Sequence, residues 1–395
     1  MSLNTFAPQA GKATGKTIEQ LPRGSSGVVV GAGAFGGWTA LFLLRKGYRV
    51  TLIDTWGPGN SRSSSGDETR VIRSTYGANE FYFDLNVRAL TLWKEHEARW
   101  KTKLFQNKGV LWMCYEAHTP VVDNSIPFAE KYNMPYERLT VEEISKRYSI
   151  VNTSDLSHAW LDPYGGCLRA REACQAVYKG FIAEGGTILQ AQAMPGKVEG
   201  NRLKYIQLSN GQSLTADLFI FACGSWLGKL FPEVLGSTIT CTKQEVYYFG
   251  VPTQHASAYE QFPVWVDVDG KDFYYGIPGN NYRGFKIGVD ERGEPFDPTH
   301  GDRISNEQVL KKARKFLAHR FPGLKDAPLV ESRVCPYENS PDGNFLFDHH
   351  PEASNLFFLG GGSGHGFKHG PALGELISEI VAGNKVIPQQ FLLTR

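Results

Sequence analysis

A run of β-branched residues, Val28, Val29 and Val30, stops at Gly31-Ala-Gly33-Ala-Phe-Gly36, and an acidic residue, Asp54, follows 23 positions after Gly31. These are residue types that a bound nucleotide needs. Gly31 permits a tight turn, Gly33 lets backbone approach a pyrophosphate, Gly36 lets helix pack on strand, and Asp54 can accept hydrogen bonds from an adenosine ribose. A carboxylate at position 54 disfavours a 2′-phosphate, because two anions would repel. After Asp54 the chain does not continue in the regular βα units of a nicotinamide enzyme. It enters a polar stretch, Trp56 to Gly66, and then Asp67-Glu-Thr69-Arg70-Val-Ile-Arg73. Such a loop can wrap a cofactor and carry two arginines toward its far end, or it can be a solvated surface loop.

A second glycine-rich segment, Gly360 to Lys368, lies between an apolar run and a helix opened by Pro371. Backbone amides there could stabilise negative charge on a flavin ring system. Other reactive types are less telling alone. Cys335 is one thiol of six, none in a CxxC pair, and all six read as reduced. Lys286, between Phe285 and Ile287, can point to solvent by strand alternation, and Arg73 and Lys368 can be a surface arginine and a helix-flanking lysine. His365 and His369 are four apart but sit beside a glycine loop without a recognisable carboxylate ligand, so no metal site is expected; His349-His350 reads as loop.

The elements that must position these residues follow from periodicity. A strand at 28–30, a helix at 37–46 capped by Gly47 and a strand at 48–53 frame the first glycine turn. Helices are expected at 81–100, at 135–147 with Thr140 and Glu143 as a capping box, at 167–184 and at 308–320. Strands are expected at 109–115, 187–193, 202–208 and 355–359, and the run from Ala216 reads as a buried strand ending in Ala222-Cys223-Gly224, where open α/β sheets bind ligands. Between 240 and 293 the strands become rich in Tyr, Phe, Trp and Val, which predicts a mostly antiparallel sheet in a second domain.

The chain is 395 residues long, enough for one large domain or two ordinary ones. Its 42 basic and 40 acidic residues give no electrostatic case for a nucleic-acid partner. No apolar stretch approaches about 18 residues, which speaks against a membrane span. The first 27 residues read as a flexible arm rather than a secretory signal, and a cytoplasmic location is expected, with a peroxisomal one left open.

Taken together, Gly31-Ala-Gly-Ala-Phe-Gly36, Thr69-Arg-Val-Ile-Arg73, Phe273-Tyr-Tyr-Gly-Ile-Pro278, Gly284-Phe-Lys-Ile-Gly288, Arg333-Val-Cys-Pro-Tyr337 and Ser363-Gly-His-Gly-Phe-Lys368 resemble the D-amino-acid oxidase superfamily of flavoproteins, most closely its monomeric sarcosine oxidase and N-methyltryptophan oxidase branch. The resemblance spans nearly the whole chain from Val28. It implies an α/β fold: a Rossmann-like, glutathione-reductase-type FAD-binding domain (28–110, 158–236, 333–395) with a second α+β substrate domain on a mostly antiparallel sheet (111–157, 237–332). It implies FAD held by Gly31, Gly33, Gly36, Asp54, Ser65, Thr69, Arg70, Gly224, Trp226, Gly364, Gly366 and Lys368 and joined covalently to Cys335. Lys286 would activate dioxygen, Arg70 would lie against the flavin, Arg73 and Lys368 would clamp a substrate carboxylate, and Tyr275 and Tyr337 would line the amine pocket.

The implied reaction is oxidation of a secondary amino acid, N-methyl or cyclic, by hydride transfer from the C–H beside the amine to flavin N5. The imine is hydrolysed or kept in the ring, and dioxygen becomes hydrogen peroxide. The implied partners are a small substrate bearing a carboxylate and dioxygen, with the chain acting as a monomer. Two departures blur the substrate: Gly66 and Asp290 stand where sarcosine oxidase has histidines, and Asp290 could either face substrate or pair with Arg292 or Lys286. Oxidation of primary or sugar-modified (fructosyl) amino acids, or a flavin dehydrogenase using another acceptor, are the alternatives.

Overall fold

The computed structural model describes residues 15–268, 273–280 and 283–395. Along the chain come β1 (Ser26–Val30), α1 (Ala34–Arg45), β2 (Arg49–Asp54), β3 (Thr69–Ile72), α2 (Glu80–Trp100) and β4 (Val110–Cys114). Then follow β5 (Glu137–Leu139), α3 (Val141–Arg147), β6 (His158–Asp162), β7 (Gly166–Arg169), α4 (Ala170–Ala183), β8 (Thr187–Gln190) and β9 (Leu218–Phe221). The second half holds β10 (Thr240–Phe249), β11 (Val264–Val268), β12 (Phe273–Ile277), β13 (Phe285–Val289), α5 (Glu307–Arg320), β14 (Leu329–Asn339), β15 (Leu346–His350), β16 (Ala353–Gly360) and α6 (Gly370–Val381).

Two large sheets organise these elements into a mixed α/β fold, a Rossmann-type domain beside an α+β one. The first sheet has the order β8-β2-β1-β9-β16-β15 and is parallel except where β15 meets β16. Its strands are apolar on both faces, as parallel strands covered on both sides must be. One face packs with Trp38 and Leu41 of α1, Trp93 of α2 and Leu373 and Ile377 of α6. The other packs with Ile206, Leu227 and Phe231. Helix α1 is apolar nearly all round because the sheet lies on one side and helices on the other.

The second sheet runs β14-β10-β13-β12-β11-β4-β6-β5, antiparallel throughout except for the β11/β4 pair. Strand alternation divides its side chains. Leu111, Trp265, Phe285 and Ile287 pack under Phe316 and Leu317 of α5. Trp112, Val264, Val266 and Ile277, with Tyr275 against them, face the other way. That second face looks toward the first sheet, and the functional side chains lie there.

Several expectations need adjustment. The helix expected from 135 is a short strand, β5, followed by α3, because Thr140 caps α3 with both capping-box bonds formed. The helix expected from 167 begins at Ala170, after β7 pairs with β3. Helix α1 starts at Ala34, three residues earlier than expected. His349 and His350 end β15 rather than lying in a loop. Strands β4, β6 and β14 straddle or lie just outside the expected divisions at 110, 158 and 333, and all three belong to the second sheet. The described part of the N-terminal arm is docked: Gly15–Lys16 pairs with Ile387–Pro388, and Lys16 reaches Asp348 at 2.7 Å. Residues 1–14 lie outside the described residues. No described helix is long and apolar enough to cross a membrane, and the six cysteines are free thiols.

Candidate active site

Two connected cavities occupy the junction between the sheets. The larger begins at the carboxyl ends of β1, β2 and β9 and is lined by Gly31, Gly33, Asp54, Ser65, Arg70, Gly224, Trp226, Gly364 and Gly366 among others. The smaller lies under the second sheet and is lined by Arg70, Arg73, Tyr275, Asp290, Tyr337, His365 and Lys368 among others. Arg70, Tyr337, Gly364 and Phe367 border both.

The larger cavity is built for a dinucleotide. At Gly31, φ is +108° and an added Cβ would lie 2.3 Å from the Ala222 carbonyl oxygen, so only glycine fits the turn. At Gly36 an added Cβ would strike the Gly31 oxygen. Helix α1 carries no acidic residue in its first turn and no side-chain cap, leaving its positive end to a bound anion. Asp54 does more than await a ribose. Its Oδ2 accepts from the Ala32 amide at 2.8 Å and its Oδ1 from the Trp56 and Gly57 amides at 2.9 and 2.7 Å, so it also fixes the turn. Trp56 and Trp226, with ring centroids 5.0 Å apart, line the same end.

Asp67, which sequence reasoning passed over, is the hub of the charged centre. Its fully buried carboxylate accepts from Lys286 Nζ, from Arg70 Nη1 at 2.5 Å, from the Tyr248 hydroxyl at 2.7 Å and from Arg333 Nη1 at 3.3 Å. Burial alone would raise this carboxyl, but Lys286 and Arg70 hold it well below the usual carboxylate range. Lys286 is itself fully buried, so alternation turns it toward the domain junction and not to solvent; its Nζ also donates to the Thr69 carbonyl at 2.9 Å. Thr69 Oγ1 donates to Asn280 at 2.6 Å.

Cys335, on β14, is buried with its sulfur 3.7 Å from Arg70 Nη2, and burial raises its thiol while Arg70 opposes that. Neither Cys335 nor Lys286 is among the residues lining the two cavities; Cys335 adjoins Arg70, and Lys286 shares Asp67 with it.

In the smaller cavity Arg73, from the turn after β3, and Lys368, from the turn before α6, converge with Asp290, which follows β13. Burial and then Arg73 push the Lys368 amine well down, while Asp290 opposes them. Asp290 pairs with neither candidate partner: Lys286 is taken by Asp67, and Arg292 donates to the Ser340 carbonyl at 3.3 Å. Asp290 lines the cavity, where burial raises its carboxyl while Arg73 and Lys368 oppose that shift. Tyr275 has room because Gly288 lacks a Cβ, which would come 2.6 Å from its ring; Gly364 gives way to Tyr337 in the same manner. Burial pushes the phenols of both tyrosines up, so they act as neutral hydrogen-bonding groups and not as bases.

Tyr76 and Glu338 are further residues that the sequence did not single out, and His365 was weighed there only as half of a metal pair. The doublet Gly-His within the second glycine loop was the available signal for His365. Tyr76 and Glu338 carried none, since only the fold brings Glu338 to the larger cavity and Tyr76 against Arg73 and Lys368.

The profile of the FAD dependent oxidoreductase family matches residues 28–380. The chain belongs to the FAD dependent oxidoreductase family. This FAD dependent oxidoreductase is 28% identical over 364 residues to monomeric sarcosine oxidase of Bacillus sp. (strain NS-129), covering 91% of this chain and 93% of that one. It is 26% identical to N-methyl-L-tryptophan oxidase of Yersinia pestis (strain Pestoides F), covering 91% and 95%. Its fold is similar to that of L-proline dehydrogenase from P. horikoshii, with a TM-score of 0.79 at 21% identity, covering 93% of this chain and 96% of that one. It is also similar to the fructosamine oxidase Amadoriase II of Aspergillus fumigatus, with a TM-score of 0.78 at 21% identity, covering 95% and 90%. The protein is a FAD-dependent amine or amino-acid oxidase, oxidising CH–NH and reducing dioxygen to hydrogen peroxide.

Proposed function

We propose that the substrate is a secondary amino acid, N-methyl or cyclic, whose carboxylate binds between Arg73 and Lys368. The observation that carries this reading is the convergence of those two cations in a cavity that shares Arg70, Tyr337, Gly364 and Phe367 with the FAD cavity. Arginine offers a planar fork and lysine a point charge, so together they fix both position and orientation of a carboxylate. An arriving carboxylate also favours protonation of Lys368, whose charge is otherwise disfavoured by burial and Arg73. FAD, when bound, supplies a two-electron acceptor that dioxygen can reoxidise.

The chain's own groups bind, orient and screen. Asp290 presents a carboxylate opposite the two cations and attracts the ammonium form of the amine or a further cationic group. Tyr275 and Tyr337 wall the pocket with neutral phenols. Lys286 would favour electron transfer to dioxygen as a fixed cation, and Cys335 would tether the flavin; both readings rest on the motif resemblance together with their places beside Arg70. Sarcosine and N-methyl-L-tryptophan, the substrates in the relatives' names, share the secondary amine and the carboxylate.

The test is a peroxide screen with sarcosine, N-methyltryptophan, proline, pipecolate, basic amino acids and a fructosyl amino acid, on wild type and Asp290→Asn, with anaerobic flavin bleaching as a second readout. The expected result is turnover of secondary amino acids over primary and fructosyl ones, and a changed ranking in Asp290→Asn. Turnover confined to primary or fructosyl amino acids would overturn the substrate class. Bleaching without peroxide would make the protein a dehydrogenase, and an unchanged ranking would remove Asp290 from specificity.

A further inference from the structure

Two cations that must share one anion face a physical difficulty before the anion arrives. Arg73 and Lys368 line the same cavity, and burial and then Arg73 disfavour the charge of Lys368 there. Something must hold them close without neutralising them, because a carboxylate that paired tightly with both would compete with the substrate. Asp290 lines the same cavity and forms no ion pair with either among the described residues, so it does not fill this role.

Tyr76 meets the requirement. The guanidinium carbon of Arg73 lies 4.7 Å from the centre of its ring, and Lys368 Nζ lies 5.2 Å from the same centre. Both separations are within the range in which the negative face of an aromatic ring attracts a cation. The ring therefore stabilises both charges while occupying none of their hydrogen-bonding directions. Arg73 uses Nη1 on the Thr75 carbonyl, and Lys368 donates to the His365 carbonyl at 2.8 Å, each keeping further donors for a ligand.

The ring is itself anchored. Its hydroxyl lies 2.6 Å from His369 Nε2 and 3.1 Å from His365 Nδ1. His365 Nε2 is 3.0 Å from the Gly343 carbonyl oxygen and must donate to it, which leaves Nδ1 as an acceptor. The Tyr76 hydroxyl is thus held between two imidazole nitrogens, His369 Nε2 and His365 Nδ1. Burial keeps both imidazoles neutral, His365 being pushed down to about 3. Tyr82, stacked on the ring with centroids 5.4 Å apart, supports it from the protein side.

We infer that Tyr76 is a positioning residue for substrate: its ring, locked through its hydroxyl by His365 and His369, sets the separation and orientation of Arg73 and Lys368 and so tunes the site for a carboxylate. This rests on the reading of Arg73 and Lys368 as the carboxylate pair. It assigns a role to the Tyr76–His365–His369 cluster, which resembles a metal site in sequence spacing but in the structure connects to the substrate cavity through an aromatic ring.

The experiment uses the flavin-loaded enzyme and a non-oxidisable ligand pair: a thioether acid, in which sulfur replaces the amine nitrogen, and its primary amide. Binding is read from the flavin absorbance change. Replacing Tyr76 with phenylalanine and then with ring-fluorinated phenylalanines of increasing fluorine number keeps the shape and drains the ring's negative face. The acid's Kd should rise stepwise with fluorination, by about tenfold over the series, while the amide's Kd moves less than about twofold. Tyr76→Leu should show the same acid-selective loss in one step, as a higher KM for substrate with kcat within about threefold. Arg73→Met and Lys368→Met serve as controls. If they weaken the acid selectively but the fluorinated series is flat, the inference about Tyr76 is overturned and the carboxylate pair stands. If they weaken acid and amide alike, the carboxylate pair falls and Tyr76's role with it.

Discussion

Cys335 lies 3.7 Å from the Arg70 guanidinium, a residue that lines both cavities, which makes its attachment to flavin a sharp question. Acid-precipitated wild type should stay yellow, while Cys335→Ser should release free FAD into the supernatant; a colourless wild-type pellet would show that the flavin is held without a covalent bond. Lys286 poses a second such question. Its partner Asp67 retains Arg70, Arg333 and Tyr248 when the lysine is removed, so Lys286→Met leaves the carboxylate paired. Anaerobic reduction by substrate should then stay within about tenfold of wild type and reoxidation by dioxygen should slow by about 100-fold, the scale of losing one preorganised charge. Equal slowing of both half-reactions, followed by stopped flow, would move Lys286 from oxygen chemistry to architecture.

Elements decide what those residues can reach. The turn between β1 and α1 works only because Gly31 holds φ at +108° against the Ala222 carbonyl, and α1 then directs an uncapped N-terminus at the FAD cavity. Gly31→Ala places a Cβ in the clash and strains the backbone, so the purified variant should carry less than about a tenth of the wild-type flavin while its far-ultraviolet circular dichroism keeps the wild-type shape. Full flavin occupancy in that variant would show that the turn relaxes without cost. Strand β13 makes the complementary point. Phe285, Ile287 and Val289 go into the core under α5, and the same alternation leaves Lys286 and Gly288 facing the site, one supplying charge and the other the space for Tyr275.

At the scale of the whole molecule, β14 joins the two halves. It pairs with β10 in the second sheet, and its residue Glu338 lodges beneath Gly360–Gly362, where β16 of the first sheet ends. Burial raises the Glu338 carboxyl to about 7, against an ordinary value of 4.5, although the Gly362 and Gly361 amides oppose the shift. The folded protein therefore binds more protons than the unfolded chain between those two values, and stability conferred by the protonated acid is present below pH 4.5 and lost as pH rises through about 7. Glu338→Gln should abolish that loss. Its unfolding free energy relative to wild type should climb by up to about 3 kcal/mol between pH 4.5 and 7 and then level off. Parallel pH profiles for the two proteins in urea denaturation would mean that Glu338 titrates normally.

Near-neighbour rules reach part of this fold from the residues alone. The glycine turn after Val30, the acid at 54, the capping box at Thr140 and the antiparallel aromatic strands were legible because turn geometry, helix caps and strand alternation depend on near neighbours. Arg73, Lys368, Tyr275, Tyr337 and Asp290 were nameable through motif resemblance, and the structure brings all five to one cavity. Boundaries failed where pairing across the fold outweighed local propensity, as at β5 and β7, which read as the starts of helices. Which charges are mutual partners was settled by long-range packing. Asp67 and Lys286 are 219 positions apart, and Tyr76 and His369 are 293 apart, distances over which no periodicity carries information. Buried ions and hydroxyls must find partners wherever packing places them, so those pairings exist only once the two sheets have closed on each other.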